Sequence, residues 1–411
     1  TNNICMKRDL YVVKSPDDVQ PGDPVEIAIR DQPPYQHVDR FVGDRPIVDH
    51  LVPEAALPHN LHPERYSGPT SLALDWVGFR VSDEIATMLD FVTAQNIDQG
   101  REALRVWGCP TWNFVLADTH GDVGYQTSGW LPLRGREVRG YRSLHEPADE
   151  WAGFIPFDGL PRLDRPERGW VASANNPTAP PDFPYPLFGT WAPEDRAGRA
   201  EDLLQATDQH TLDGFEKMQN DVLSGRAQRG LSGLLDAHLE CDDARTRAAL
   251  AVFQGWDFRL TTDSVPAAIF YVFFWRWHQN VIARGFSEPL IPLVRDAGWG
   301  FSSELLHANI ANWFTDDAER VATMQRAFTE ALDWLTDRLG PDQHAWKWGA
   351  IHRLGAIHPA ASTPLQHELL DIPYAPSPGG AGTLASAFYN PPGSFDNRLG
   401  ASYRMVTNMG P

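Results

Sequence analysis

Residues 112–125 read WNFVLADTHGDVGY, with an apolar arm on either side of a short polar turn. The arms are rich in β-branched and aromatic side chains, which predicts strands over residues 114–117 and 123–126. Gly121 lies in the turn, where a residue without a Cβ takes a positive φ at no steric cost. The stretch therefore predicts a β-hairpin.

The predicted secondary structure changes twice along the chain. Alternating apolar residues predict a β-rich part over residues 1–194, and a helical period follows over residues 195–340. Residues 341–411 return to Pro/Gly-rich loops and short strands. Since no repeat or linker separates these parts, one layered α+β body is predicted. Further strands are predicted over residues 10–14, 25–29, 47–51, 71–79, 170–174 and 402–406.

Apolar residues spaced three and four apart predict helices in the middle part. Residues 212–223 have this spacing, with Thr211 placed to cap the helix N-terminus. Residues 321–335 repeat it, preceded by Asp316, whose carboxylate suits the positive end of a helix. Two more helices are predicted over residues 245–253 and 267–283.

Composition argues against several classes of protein. The longest apolar run, residues 265–275, contains Pro266 and falls short of the ~20 apolar residues of a membrane span, so it predicts a buried helix. The 35 basic and 54 acidic side chains give a formal charge of −19 without a basic cluster, which argues against a nucleic-acid partner. Neither a disulfide framework nor a zinc site is predicted from the three widely spaced cysteines, Cys5, Cys109 and Cys241.

Seven motifs, in order along the chain, resemble those of the penicillin acylase family, with the hairpin and the stretch at 129–134 counted as one. The hairpin and GWLPLR at 129–134 resemble the family pattern Asn-x-x-x-Ala-Asp…Gly-x-Ile-Gly-Tyr…Gly-x-x-Pro-x-Arg. GWVASANNP at 169–177 and EDRAGR at 194–199 resemble its Ala-Asn-Asn…Asp-Arg-x-x-Arg signature. The other matches are TNNICMKRDLY at 1–11, SLALDW at 71–76, MQNDVLS at 218–224 and WKWGAIH at 346–352.

The resemblance implies a fold and an activity. The fold is that of N-terminal-nucleophile hydrolases, an αββα sandwich, here with a helical insertion. The activity is hydrolysis of linear secondary amides, such as penicillins, cephalosporins or N-acyl-homoserine lactones. A serine freed by self-cleavage of a precursor attacks the carbonyl, and its own α-amino group is the base. The resemblance implies no redox or nucleotide cofactor, and a periplasmic or secreted location.

Three residues match positions that act in the family's active site. The resemblance assigns the oxyanion donors to the side-chain amide of Asn175 and the backbone N–H of Asn2. Arg196 matches an arginine that orients groups near the nucleophile. The alternatives are that the Asn-Asn-Pro sequence only starts a turn and that Arg196 is a surface residue at a helix start. Asn176 is expected to shape the turn. Arg199 is expected to be structural.

Thr1 invites a different interpretation, because threonine can also serve as an N-terminal nucleophile. The order of the motifs places Thr1 and Asn2 several dozen residues after the family's serine. The chain is therefore expected to be a β-chain fragment, incomplete at both ends and lacking the nucleophile. Its expected partners are the α-chain of the same precursor and a small amide substrate.

The resemblance also raises a metal site. Relatives bind calcium through oxygen ligands, and Asp9 occupies one matching position. Met6 stands where a relative offers another carboxylate. Asp9 is thus the candidate calcium ligand.

Other functions remain open at this point. A non-catalytic relative would bind a small molecule or a glycan without hydrolysing an amide. A glycosidase would need two carboxylates flanking the bond, whereas Asp118 and Asp122 lie on one hairpin turn.

Overall fold

The computed structural model describes residues 8–66, 68–136, 140–187, 189, 191–240, 242–295, 297–390, 394–401 and 403–410. The chain divides into two compact units. The first comprises Thr1–Ala192 with Met409–Pro411, and the second comprises Pro193–Asn408.

The first unit is built mainly from short strands. They are β1 Arg8–Val13, β2 Gln20–Pro21, β3 Val25–Ile27, β4 Tyr35–His37, β5 Arg40–Val42, β6 Arg45–Pro46, β7 Ser71–Trp76, β8 Trp112–Ala117, β9 Val123–Ser128, β10 Pro132–Arg134, β11 Arg142–Ser143, β12 Trp151–Phe154 and β13 Arg162–Asp164. Its helices are α1 Pro58–Leu61, α2 Glu84–Thr93 and α3 Ile97–Ala103. The strands form sheets in the orders β11-β1-β7, β13-β9-β8, β2-β5-β6, β10-β12 and β3-β4.

Strand β1 is buried on both of its faces. Tyr11 and Val13 pack with Ile47 in one apolar cluster. Val12 points the other way and packs with Leu72 in a second cluster. Successive side chains of a strand face opposite sides, so both faces of β1, the central strand of its sheet, are covered.

The predicted hairpin is confirmed as β8 and β9, which pair antiparallel. Asp118 shapes the turn, since its Oδ1 accepts hydrogen bonds from the backbone N–H of His120 at 2.9 Å and of Asp122 at 3.2 Å. Its Oδ2 accepts another from Ile97 N at 3.1 Å. Burial acts to raise the pKa of Asp118, but these donors hold it below its usual value. Gly121 has φ 90° in the turn, as expected.

One predicted strand is shorter than expected and another is wrong. Ile47 bridges Ala73 of β7 and Val48 N donates to Leu72 O at 2.8 Å, but the pairing ends there, because Asp49–Leu51 forms a 3-10 turn and Asp49 Oδ1 accepts from Leu72 N at 2.6 Å. Residues 403–406 contain no strand, and Ser402 lies outside the described residues. There the backbone carbonyl of Met405 accepts from the Gln219 side chain at 2.9 Å instead of pairing with a strand.

The second unit is mainly helical. Its helices are α4 Asp195–Gln205, α5 Leu212–Gln219, α6 Gly225–Asp236, α7 Ala244–Ala251, α8 Val265–Gly285, α9 Ile291–Val294, α10 Trp299–Glu304, α11 Asp317–Leu339, α12 Trp348–Ile351 and α13 Pro364–Leu370. Its strands are β14 Arg353–Ala356, β15 Ile372–Pro376, β16 Ala387–Asn390 and β17 Ser394–Gly400. These form one sheet in the order β15-β14-β17-β16.

Helix α8 forms the centre of the second unit's core. Most of its side chains are buried, and Phe273 contacts Phe328 of α11 edge-on with ring centroids 5.9 Å apart. The apolar run at residues 265–275 is therefore a buried helix, as predicted. None of the helices in the described ranges has the length and apolarity to cross a membrane.

The predicted helix starts in this unit are confirmed. Thr211 Oγ1 accepts from Gly214 N at 3.0 Å and caps α5. Asp316 Oδ1 accepts from Glu319 N at 2.8 Å and caps α11. These contacts satisfy N–H groups that have no partner within the helix.

His352 is a buried histidine with a structural role. It is fully buried, its ring stacks on Trp348 at 4.6 Å, and its Nδ1 lies 2.6 Å from the carbonyl oxygen of Phe395. Burial lowers the pKa of His352 to about 4, although the Phe395 carbonyl and Asp396 act in the opposite direction.

This depressed pKa predicts a pH-dependent stability. The unfolded histidine has a pKa of about 6.5, so between that value and the native pKa the unfolded chain binds a proton that the native chain does not. We expect the free energy of unfolding to fall by about 3 kcal/mol as the pH drops through this window. Urea unfolding at pH 7, 5.5 and 4.5 measures the slope, and His352→Phe should flatten it. Equal slopes in the two proteins would contradict the assignment.

Candidate active site around Asn175

Asn175 lies at the neck of a loop in the first unit. Its backbone is left-handed, with φ 68°, a conformation that asparagine adopts more readily than most residues. Its carbonyl oxygen accepts a hydrogen bond from Ala192 N at 2.9 Å. This bond holds together the two ends of residues 176–191, called here the 176–191 loop, in the manner of an Ω-loop.

The backbone next to Asn175 forms a turn and not the predicted strand. Asn176 Oδ1 accepts from Ala174 N at 3.0 Å, and its Nδ2 donates to the carbonyl of Pro177 at 3.0 Å. The strand predicted over residues 170–174 is wrong, because Ala174 N is used by this turn and not by a sheet. The expectation that Asn176 shapes the turn is confirmed.

The β8–β9 hairpin holds this turn on both sides of Asn175. Asn113 on β8 donates through Nδ2 to Ser173 Oγ at 3.1 Å. Tyr125 on β9 places its hydroxyl 2.8 Å from Thr178 Oγ1. The chain is thus tied to the hairpin two residues before Asn175 and three residues after it.

Tyr125 joins these two ties into one network. Its side chain is buried, and its hydroxyl hydrogen-bonds Asn113 Oδ1 and lies 2.7 Å from Thr127 Oγ1. The Tyr125 hydroxyl is oriented as a donor towards both Asn113 Oδ1 and Thr178 Oγ1, which share its one proton, and either partner can donate in its contact with Thr127. The sequence motifs contain Asn113 and Tyr125, but their spacing indicates only a hairpin and not this contact with the loop.

Arg196 lies in the second unit, in the first turn of α4. Burial lowers its pKa, and the neighbouring Asp195 acts against that change. Asp195 is itself buried and ion-paired with Arg226 at 3.5 Å and with Arg229. The Asp195 charge, next to Arg196 at the start of α4, is therefore held in place by ion pairs within the unit.

Arg199, one turn along α4, has a structural role, as expected. Its guanidinium binds Asp221 through two hydrogen bonds, Nε to Oδ1 at 3.1 Å and a terminal nitrogen to Oδ2 at 3.0 Å. Such paired bonds fix the geometry of both side chains. The Asp-Arg-x-x-Arg signature thus contains at least two residues that stabilise the unit.

Asp9 does not fit the role of a calcium ligand. Its Oδ2 accepts from Arg134 Nε at 2.7 Å and from Trp151 Nε1 at 2.6 Å, and its Oδ1 lies 3.0 Å from Arg142 Nε. Asp9 and both arginines are buried. Two guanidinium groups already neutralise this carboxylate and lie against both of its oxygens, which argues against a calcium role for Asp9. Within the described ranges, no group of three or more His, Cys, Asp or Glu side chains is placed to hold a metal ion.

The buried Asp9 pair predicts a large effect on stability. Asp9→Asn leaves Arg134 and Arg142 without their counter-charge, which should lower the free energy of unfolding by about 3–5 kcal/mol. The control is Asp31→Asn, because Asp31 forms an almost fully exposed pair with Arg30 and should contribute less than about 1 kcal/mol. Denaturant unfolding measures both variants, and equal losses would contradict the buried network.

Asn2 and Met6 lie outside the described residues, so the backbone donor expected at Asn2 stays a prediction.

A sequence profile described as Penicillin amidase matches residues 23–411. The chain belongs to this family. It is 24% identical over 371 residues to an acyl-homoserine lactone acylase QuiP of Pseudomonas syringae pv. syringae (strain B728a), covering 82% of this chain and 44% of the relative.

The chain is also similar to two proteins named as penicillin acylases. Penicillin acylase 2 proenzyme of Pseudomonas sp. (strain SE83) is 28% identical over 341 residues, covering 77% of this chain and 41% of that protein. The structure of a thermostable penicillin G acylase from Alcaligenes faecalis superposes with a TM-score of 0.59 at 17% identity, covering 84% of this chain and 68% of that one. The predicted α+β, N-terminal-nucleophile hydrolase fold is confirmed. The chain spans less than half the length of the curated relatives it matches.

Proposed function

We propose that the complete protein is an acylase that hydrolyses a linear secondary amide to a carboxylic acid and an amine. Two observations support this proposal. The chain belongs to the penicillin amidase family, and its relatives are named as acyl-homoserine lactone and penicillin acylases. The family's Asn-Asn signature lies at the neck of a loop that is hydrogen-bonded to the β8–β9 hairpin on both sides of Asn175. The assignment of an active-site role to Asn175 rests on the second observation.

The proposed reaction is acyl transfer in two steps. The hydroxyl of an N-terminal residue attacks the amide carbon, and that residue's α-amino group takes up the hydroxyl proton. The C–N bond of the amide then breaks, and the proton passes to the departing amine. Water then attacks the resulting ester and releases the acid. Each step passes through an oxyanion, which needs donors held in position before the charge develops.

Asn175 suits the role of such a donor. Its carboxamide is uncharged and supplies N–H groups, and its neighbours fix the backbone from which it extends. We propose the backbone N–H of Asn2 as the second donor and Arg196 as the arginine that orients neighbouring groups. We further propose that the nucleophile lies outside this chain, that the precursor's α-chain is a partner, and that the protein is periplasmic or secreted.

Replacing Asn175 tests the assignment. Asn175→Gly removes the amide and retains a backbone that tolerates φ 68°, whereas alanine would add strain there. In the complete protein we expect kcat to fall about 100- to 1000-fold with KM nearly unchanged, because one oxyanion donor is lost. Steady-state hydrolysis of an N-acyl-homoserine lactone and of penicillin G measures this.

The matched control for this variant is Asn312→Gly, since Asn312 also has a positive φ, 51°. Asn312→Gly should retain the kcat of the unaltered protein, and its melting temperature should change by the same small amount as that of Asn175→Gly. Near-native turnover in Asn175→Gly would remove Asn175 from the site. If the unaltered complete protein binds these amides without releasing the acid, it is a non-catalytic binding protein instead.

Tyr125 is proposed as a positioning residue. Tyr125→Phe removes the hydroxyl that ties Asn113 to Thr178, so the loop loses its alignment, and we expect kcat to fall about 10- to 100-fold. The double variant with Asn175→Gly should be no slower than Asn175→Gly alone, because a donor that is absent needs no positioning. Multiplied losses in the double variant would show that Tyr125 acts independently of Asn175.

A further inference from the structure

A pocket in the second unit contains none of the residues assigned to the active site. Its volume is about 500 Å³, within the roughly 300–1,000 Å³ of small-molecule sites. The lining residues come from the end of α4, from α5 and the residues that follow it, and from one position before α8. They are Leu203, Gly214, Lys217, Met218, Asn220, Asp221 and Arg259. One unit thus supplies the whole lining.

One side of the pocket is apolar. The side chains of Leu203 and Met218 are half-buried in the lining. Leu212, Phe215 and Met218 follow one another at intervals of three residues, so they lie along one side of α5. Leu212 and Phe215 are exposed. An aliphatic or aryl group that enters the pocket can therefore bury apolar surface.

Two cations line the same pocket. Within the described ranges, the Lys217 side chain forms neither an ion pair nor a hydrogen bond. Arg259 is held by its backbone, which pairs with Leu223, and the next residue, Leu260, donates from its N–H to Val222 O at 2.9 Å. The Arg259 side chain remains 38% exposed. Both cations can therefore donate hydrogen bonds to a ligand.

The carboxylate in the lining, that of Asp221, is already neutralised. Its two oxygens accept from Arg199 at 3.1 and 3.0 Å, and Oδ1 also accepts from Leu223 N at 3.1 Å. Arg259 Nη1 lies 3.5 Å from Oδ2. Burial acts to raise the pKa of Asp221, but these partners hold it below its usual value. With Lys217, three cations face one carboxylate, so the pocket has a net positive charge.

The C-terminal end of α5 also borders the pocket, and free carbonyl oxygens there would repel an anion. These oxygens are hydrogen-bonded instead. Arg404 Nη1 donates to Gln219 O at 2.8 Å and lies 3.3 Å from Asn220 Oδ1. Asp221 N donates to Met218 O at 3.1 Å. The cations of the lining therefore determine the charge that a ligand meets.

We propose that this pocket binds a small organic carboxylate with an apolar body. The carboxylate faces Lys217 and Arg259, because ammonium and guanidinium groups form strong hydrogen bonds with carboxylates. The apolar body lies against Leu203 and Met218. The proposal goes beyond the acylase function, since these residues have no part in it. If the complete protein is an acylase, the acid that it releases belongs to the same chemical class.

Calorimetric titration of the complete protein with octanoate tests the site. Lys217→Met removes the charge and keeps a side chain of similar length. Lys347→Met is the matched control, because Lys347 is an exposed lysine of the same unit that pairs with Asp263 at 3.0 Å outside the pocket. Acetate supplies the carboxylate without the apolar body, and octanol supplies the apolar body without the charge.

We expect saturable binding of octanoate to the unaltered protein. Lys217→Met should raise the Kd about 10-fold or more, and Lys347→Met should leave it within about twofold. Acetate and octanol should each bind at least about 10-fold more weakly than octanoate. Identical octanoate titrations of the unaltered protein and Lys217→Met would overturn the site. The absence of octanoate binding would also overturn it, including the case in which another segment of the complete protein fills the pocket.

Amide hydrolysis by the same variants separates this proposal from the acylase function. Lys217→Met should retain the kcat of the unaltered protein, because Lys217 takes no part in the proposed reaction. If no amide is hydrolysed but octanoate binds and Lys217→Met weakens it, the acylase function fails and the carboxylate site survives. If amides are hydrolysed and Lys217→Met leaves octanoate binding unchanged, the carboxylate site alone fails.

Discussion

The hydroxyl of Tyr125 is the contact on which the proposed site depends. A buried hydroxyl needs hydrogen-bond partners, and Tyr125 finds them in Asn113, Thr127 and Thr178. Since Asn113 also binds Ser173, the hairpin holds the chain before and after Asn175. The backbone around Asn175 has no regular secondary structure, but these hydrogen bonds hold it against the sheet that contains β8 and β9.

The two units achieve stability in different ways. Around β1 of the first unit, buried charges satisfy one another, with Asp9 between Arg134 and Arg142. The second unit surrounds the apolar helix α8 with aromatic side chains. Removing one member of the ionic network leaves unpaired charges, whereas the helical core depends on packing. The second unit also has buried ion pairs, between Asp195 and Arg226 and between Arg199 and Asp221, but these lie beside the helical core and not at its centre.

Much of this arrangement follows from local sequence. The 112–125 hairpin and the capped helices at Thr211 and Asp316 were predictable, because each depends on residues near one another in the chain. Residues 170–174 have the composition of a strand, but the Asn176 side chain takes the N–H that a sheet would need. The contacts of Asp9 could not be predicted for a related reason, since its partners lie more than a hundred residues away in the chain.

The role of Asn175 could be proposed from the family's motif, but its support by Tyr125 depends on contacts that no spacing reveals.

The central claim is that the Asn175 carboxamide donates to the oxyanion of a reacting amide. A crystal structure of the complete protein with a phosphonate transition-state analogue tests this most directly. We predict Asn175 Nδ2 within about 3 Å of a phosphonyl oxygen. A bound analogue with no hydrogen bond from Asn175 would contradict the account.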